Sequence, residues 1–277
     1  MRVQPRDQGA AFPGELQGEG AVRCEIHGAE HGRRRARKAR KKVGRRGRGV
    51  FGEGEMGSWT EQPIFFVDFE GSLASGILEF GVAGLLGGRV VSARTRLCRP
   101  TGAVREEDAA VHGLRAPALR DQAPFADEWE YFVDLRGRGP LAAHYAGVEN
   151  GLLKSVWPYP RSVPDFARPG AQVVDWGPWV DSARLWSQLR PGAGSGRLET
   201  VVAAAGLQSE LNALAVEHCA PDRRRYHAAL YDALAGALLL SALARDPAVA
   251  GLSTMQLLAL STLDGRRRDD LRQTELF

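Results

Sequence analysis

The 277-residue chain has only three cysteines, Cys24, Cys98 and Cys219, an odd number set far apart and without metal-ligand spacing. That excludes a disulfide framework and a cysteine-held zinc site, and it fits a reducing compartment, so a cytoplasmic location is expected. The chain also lacks the ~20 consecutive apolar residues that a membrane helix needs. Its longest apolar run, "ALAGALLLSALA", stops well short of that. No apolar stretch follows the first charges, so no secretory signal is expected. Large apolar side chains are scarce across residues 1–60, which include "GRRRARKARKKVGRRGRGVFGEGEMG". Such a stretch cannot bury enough surface to offset the entropy of ordering, and it is expected to be a disordered basic tail. Met56 stands directly before "GSWTEQPIFFVDFEG" and offers an alternative start, which would place the tail upstream of the true protein.

The formal charge of +4 hides an uneven distribution. Residues 1–60 hold fourteen Lys or Arg and seven acids, a net +7, while the other 217 residues hold twenty-three basic and twenty-six acidic residues, a net −3. Basicity of the tail suits phosphate attraction. The acidic body argues against broad electrostatic binding of nucleic acid.

From Pro63 the pattern becomes that of a folded α/β domain, expected over residues 61–246, with a tail at 247–277. "IFFVDF" reads as a buried strand, and "GILEFGVAGLLGGRVVSARTRLC" as a β-hairpin turning at Gly87-Gly88. "REEDAAVHGL" reads as a helix ending at Gly113, and "APFADEWEYFVDLR" as an amphipathic one. "GPLAAHYA" is expected to be a fourth strand entering a helix near Val148, and "AQVVDWGPWVDSARLW" a fifth strand entering another. Helices are expected around "RLETVVAAAGL" and "YHAALYDALAGALLLSALARD". A meander followed by alternating strands and helices implies one mixed sheet covered by helices.

Two patterns bear on chemistry. Asp68 and Glu70 are two apart on the first strand and therefore share a face. Taken alone, such a pair reads as a solvated strand end, or else as a cation site, because adjacent carboxylates repel. Further on, His227 precedes Asp232 by five positions, roughly 140° around a helix, so His227 must lie before the helix if the two are to meet. Alone, that pair reads as a surface histidine and a polar helix position.

In order, "FFVDFEGS", "EEDAAVHGL", "LAAHYAGVENGLL" and "RRRYHAALYDALAGALLL" resemble the DEDDh (DnaQ-like) 3′-to-5′ exonucleases, over residues 64 to about 244. The resemblance implies an α/β, ribonuclease H-like fold, with a mixed five-stranded sheet flanked by helices. It places the family's first-strand acids on Asp68 and Glu70, and its final His and Asp on His227 and Asp232. The family's remaining acid falls on Glu149, a Glu where the family has Asp. Tyr145 stands where the family has Asn, and Gly71 and Ser72 where it has Thr. Gly71, Ser72, His144 and Tyr145 are thereby expected to hold substrate, and His112 to serve local structure.

The activity implied is two-metal hydrolysis of phosphodiesters at DNA 3′ ends, of proofreading or repair type. The cofactors would be two divalent cations, Mg²⁺ or Mn²⁺, which suit hard carboxylate oxygens. Asp68 would bridge them, Glu70 and Asp232 would hold one, Glu149 would support the other, and His227 would take the proton of the attacking water. The partner would be a single-stranded or frayed 3′ end. Alternatives are an exonuclease of RNA or short oligonucleotides, or a clamp- or DNA-associated member weakened by the change at Glu149. Finally, "QTELF" places Gln273 before Leu276 and Phe277 and resembles a bacterial sliding-clamp-binding peptide.

Overall fold

The computed structural model describes residues 57–190 and 196–262. Five strands make the main sheet: β1 (Ile64–Ser72), β2 (Gly76–Leu86), β3 (Arg89–Leu97), β4 (Leu141–Ala143) and, two strands later in the chain, β7 (Val180–Asp181). Between them, β5 (Val163–Pro164) and β6 (Gln172–Val173) form a separate two-stranded ribbon. The main order is β3-β2-β1-β4-β7, with β1, β2 and β3 antiparallel and β1, β4 and β7 parallel. Helices α1 (Glu106–His112), α2 (Ala116–Leu119), α3 (Trp129–Arg138) and α4 (Ala146–Val156) come before β5. After β7 follow α5 (Ser182–Leu189), α6 (Leu198–Ala204), α7 (Gln208–His218), α8 (Ala229–Ala244), α9 (Pro247–Ala250) and α10 (Thr254–Ser261). This is the mixed, helix-flanked, ribonuclease H-like sheet expected from the sequence.

Alternation along β1 builds two cores. Phe65, Val67 and Phe69 face α3 and α4 and join Phe80, Phe125, Phe132, Leu153 and Trp176 in an aromatic layer. Within it Phe69 meets Phe125 at 5.4 Å and Phe125 meets Phe132 at 5.1 Å, in the edge-on geometry such rings prefer. Ile64 and Phe66 face the other way, onto α8. Fourteen of the sixteen α8 residues are buried, which is why "ALYDALAGALLLSALA" is apolar on every side. No helix among the described residues is long and apolar enough to cross a membrane.

Three details differ from the sequence reading. The Val173 in "AQVVDW" belongs to the small ribbon, and the fifth strand is instead Val180–Asp181, two residues paired with Ala142 and Ala143. Helix α7, rich in polar residues, lies where none was expected. Residues 247–262, placed in a tail, form α9 and α10. Met255, Leu257 and Leu258 lie in the α8 core, and the Trp59 indole N–H donates to Val249 O at 2.8 Å. The folded body therefore runs past 246, and it also begins before 61, because Trp59, placed in the N-terminal tail, is buried in the same core. The remainder of the expected tails lies outside the described residues.

Candidate active site

Parity along β1 places Asp68 and Glu70 on the α8 face, after Ile64 and Phe66 have used that face for packing. β1 outruns β4, since their last pairing is Phe66 with Ala142. A register shift follows at Glu70/Gly71, a device common beside active sites because it re-aims side chains. At the same edge, α4 starts after β4 and brings in Glu149, and the first turn of α8 brings in Asp232. The carboxyl ends of parallel strands are where sheets of this kind open their ligand crevices.

One carboxylate oxygen each of Glu70 and Asp232 and a ring nitrogen of His227 lie within 4.8 Å of one another. His227 lies before α8, as its spacing requires, with its backbone at φ 61°, and its N–H donates to Asp232 Oδ2 at 2.9 Å. Among the described residues Tyr145, at φ 63°, is the one other non-glycine with positive φ. Both strained positions flank this edge, and strain held in place by its surroundings points to function.

Four acids so placed repel. Burial raises the Asp68 carboxyl well above its ordinary range, and Glu149, Asp232, Glu70 and Glu79 raise it further. Glu70 is pushed up to about 8, first by burial and then by Asp232 and Glu79. Glu149 is also pushed up to about 8 by burial, against the Phe69 N–H that it accepts. Burial takes Asp232 to about 7, opposed by the bond from His227. Glu149 Oε2 and Asp232 Oδ1 are buried without a hydrogen-bond partner, which is costly unless something else satisfies them. Converging carboxylates with unsatisfied oxygens fit hard divalent cations, whose charge would let all four ionise.

The expected substrate residues divide. Gly71 has φ 134°, a conformation only glycine adopts readily, and a Cβ there would meet Gly76 O at 2.2 Å. Ser72 N–H donates to Ser75 Oγ at 3.0 Å and so shapes the β1–β2 turn. The Tyr145 ring is half exposed beside the site. His144 turns away: Nδ1 pairs with Ser182 Oγ at 3.0 Å and Nε2 with Gly196 O at 2.8 Å, so neither nitrogen is left for a substrate. His112 is buried and accepts Leu114 N–H at 3.0 Å through Nδ1, a local role. Gln273, Leu276 and Phe277 lie outside the described residues.

Glu79 was not singled out in the sequence. It sits opposite Glu70 in the β1–β2 register and is 3% exposed. A lone acid inside "GILEFGVAGLL", where every neighbour is apolar, was the signal available.

No family model matches the chain, and no curated protein does. Solved structures do resemble it. Exonuclease X, in complex with 5′ overhanging duplex DNA, is 20% identical with a TM-score of 0.51, over 72% of this chain and 99% of that one. Exonuclease I from Methylocaldum szegediense is 15% identical at 0.52, and another exonuclease I 13% identical at 0.50. The match spans 45% and 42% of those two chains, less than half of each. Fold and likeness together define a ribonuclease H-like architecture shared with exonucleases.

Proposed function

We propose that the protein is a DEDDh-type, metal-dependent 3′-to-5′ exonuclease acting on DNA ends. The convergence of Asp68, Glu70, Glu149 and Asp232 at one sheet edge, with unsatisfied buried oxygens, carries this reading. Two divalent cations, Mg²⁺ or Mn²⁺, held by these four acids would neutralise the phosphate and stabilise the developing charge. His227, exposed and beside Asp232, is placed to take the proton of the water that attacks phosphorus as the bond to the leaving 3′ oxygen breaks. Asp232 holds the His227 backbone while facing the site, so one side chain serves both tasks. Tyr145 offers an exposed ring on which a terminal base can stack. The likeness to exonuclease X, whose structure contains DNA, supports DNA as substrate. Capture of an end by bound cations, rather than by a basic groove, suits the net charge of −3 on residues 61–277.

The deciding experiment incubates purified protein with Mg²⁺ or Mn²⁺ and 3′- or 5′-labelled single-stranded DNA, duplex DNA or RNA, with Asp68→Ala as control. Stepwise, metal-dependent loss from DNA 3′ ends that stops in the control is expected. Faster loss from RNA would transfer the proposal to RNA ends. No loss from any substrate would leave a non-catalytic role. The spacing of Gln273, Leu276 and Phe277 further supports docking on a sliding clamp. Removing residues 273–277 should then abolish clamp binding in a titration, and equal affinity of both forms would refute it.

A further inference from the structure

α8 begins without a side-chain cap, because its N-cap is Ala228. The exposed first N–H groups of a helix need acceptors, and the helix dipole favours a negative one. Glu79, from the middle of β2, supplies it: Oε2 accepts Ala229 N–H at 3.1 Å. α8 comes this close because residue 81, two further along β2, is glycine, where a Cβ would stand 2.2 Å from the Ala229 carbonyl.

Arg223 grips the same carboxylate. Its Nε donates to Glu79 Oε1 at 3.3 Å and its Nη2 to Glu79 Oε2. The guanidinium continues to His112 O at 2.7 Å through Nη1, and to His227 O at 3.4 Å through Nη2. Arg225 adds a bond to His112 O at 3.0 Å. The loop carrying His227 is thereby fastened to β2, to the end of α1 and to the start of α8. Both Glu79 oxygens are occupied, unlike Glu149 Oε2 and Asp232 Oδ1, so Glu79 is not a free ligand for a cation.

We infer that Glu79 and Arg223 are positioning residues, an ion pair with its carboxylate buried and its guanidinium partly so, that holds His227 in its left-handed conformation and fixes Asp232 against Glu70. Their catalytic consequence rests on the exonuclease reading, while their mechanical one does not. A bidentate Arg–carboxylate pair resists displacement, which a loop with a strained residue requires. Placement matters because ~1 Å of error at a reacting group can cost about 100-fold in rate.

Hydrogen exchange tests the mechanical part without nucleic acid. Glu79→Gln and Arg223→Gln are expected to speed exchange of the amides of residues 224–232 at least tenfold, and Arg223→Lys to restore part of the protection. Glu79→Gln should also weaken Mn²⁺ binding, measured by calorimetry, about tenfold. On a substrate the wild type degrades, both Gln variants should lower kcat at least tenfold with KM within threefold. Protection and Mn²⁺ affinity equal to wild type in both Gln variants would overturn the inference. Loosened amides with unchanged kcat would overturn the positioning role. If the wild type degrades nothing, the exonuclease reading has failed, and exchange with Mn²⁺ binding alone decides whether Glu79 and Arg223 hold the His227 loop.

Discussion

One methylene separates Glu149 from the aspartate that its position resembles, and the geometry uses that methylene. From α4 the side chain reaches the Phe69 N–H and lies close enough to Asp68 to raise its pKa, with Oε2 left unsatisfied. Glu149→Asp should therefore withdraw the carboxylate by more than 1 Å and lower kcat on the order of 100-fold. A steady-state assay with saturating Mn²⁺ checks this, and a rise in kcat would mean that Glu149 hinders the site. His227→Ala should lower activity by about 10² or more, the usual scale of proton transfer catalysis, while calorimetry finds Mn²⁺ binding largely intact. Spacing alone put Asp68 and Glu70 on one face and His227 ahead of the helix that carries Asp232, but each pair by itself reads as solvated surface, and only the resemblance to the exonuclease motifs marked the four as one candidate site. Glu79 was not, because its partner Arg223 is 144 positions away and no local period connects them.

At the scale of elements, α8 determines how closely the layers approach. Gly236 faces Phe66, and a Cβ there would lie 2.0 Å from the ring. Gly236→Ala should overpack this contact and destabilise the protein by about 1–3 kcal/mol. Denaturant unfolding of the variant measures the loss, and Phe66→Leu in the same chain should recover part of it. Helices α9 and α10 make a second case. Truncation after Asp246 would remove the buried Met255, Leu257 and Leu258, each worth ~1.5–3 kcal/mol of burial. Against a total stability of about 5–15 kcal/mol, that loss should abolish cooperative thermal unfolding. A sharp transition in the truncated protein would show that the core is complete without them. α10 had a sequence signal in its capping box, Ser253 with Gln256. β7 had none: two residues are too few to display a period.

For the whole molecule, the crowded acids set stability against readiness for cations. Below pH ~4 each carboxyl is protonated in both folded and unfolded chains. As pH rises the unfolded acids ionise near their ordinary values, while Asp232 keeps its proton to about 7 and Glu70 and Glu149 keep theirs to about 8. The folded state then binds more protons, so the metal-free protein should lose stability from about pH 4 to 8. Mn²⁺ should reverse this loss, with a gain in Tm that is larger at pH 8 than at pH 6. Asp68→Asn should raise the metal-free Tm at pH 8 and shrink the gain from Mn²⁺. Thermal scans across pH with and without chelator measure all three, and a metal-free Tm that climbs from pH 5 to 8 would contradict the account.

The sequence by itself determined the α/β class, the hairpin at Gly87-Gly88, the helix over "ALYDALAGALLL" and the shared face of Asp68 and Glu70. Each is a local property, a period of two, a turn at Gly87-Gly88 or an apolar run, that neighbouring residues specify together. Only the tertiary structure decided that β7 rather than the "VV" segment closes the sheet, that residues 247–262 belong to the core, and that Glu79 with Arg223 fastens the His227 loop. Those outcomes depend on pairings between distant parts of the chain, where burial and charge are settled by the partner across the gap and not by the residues alongside.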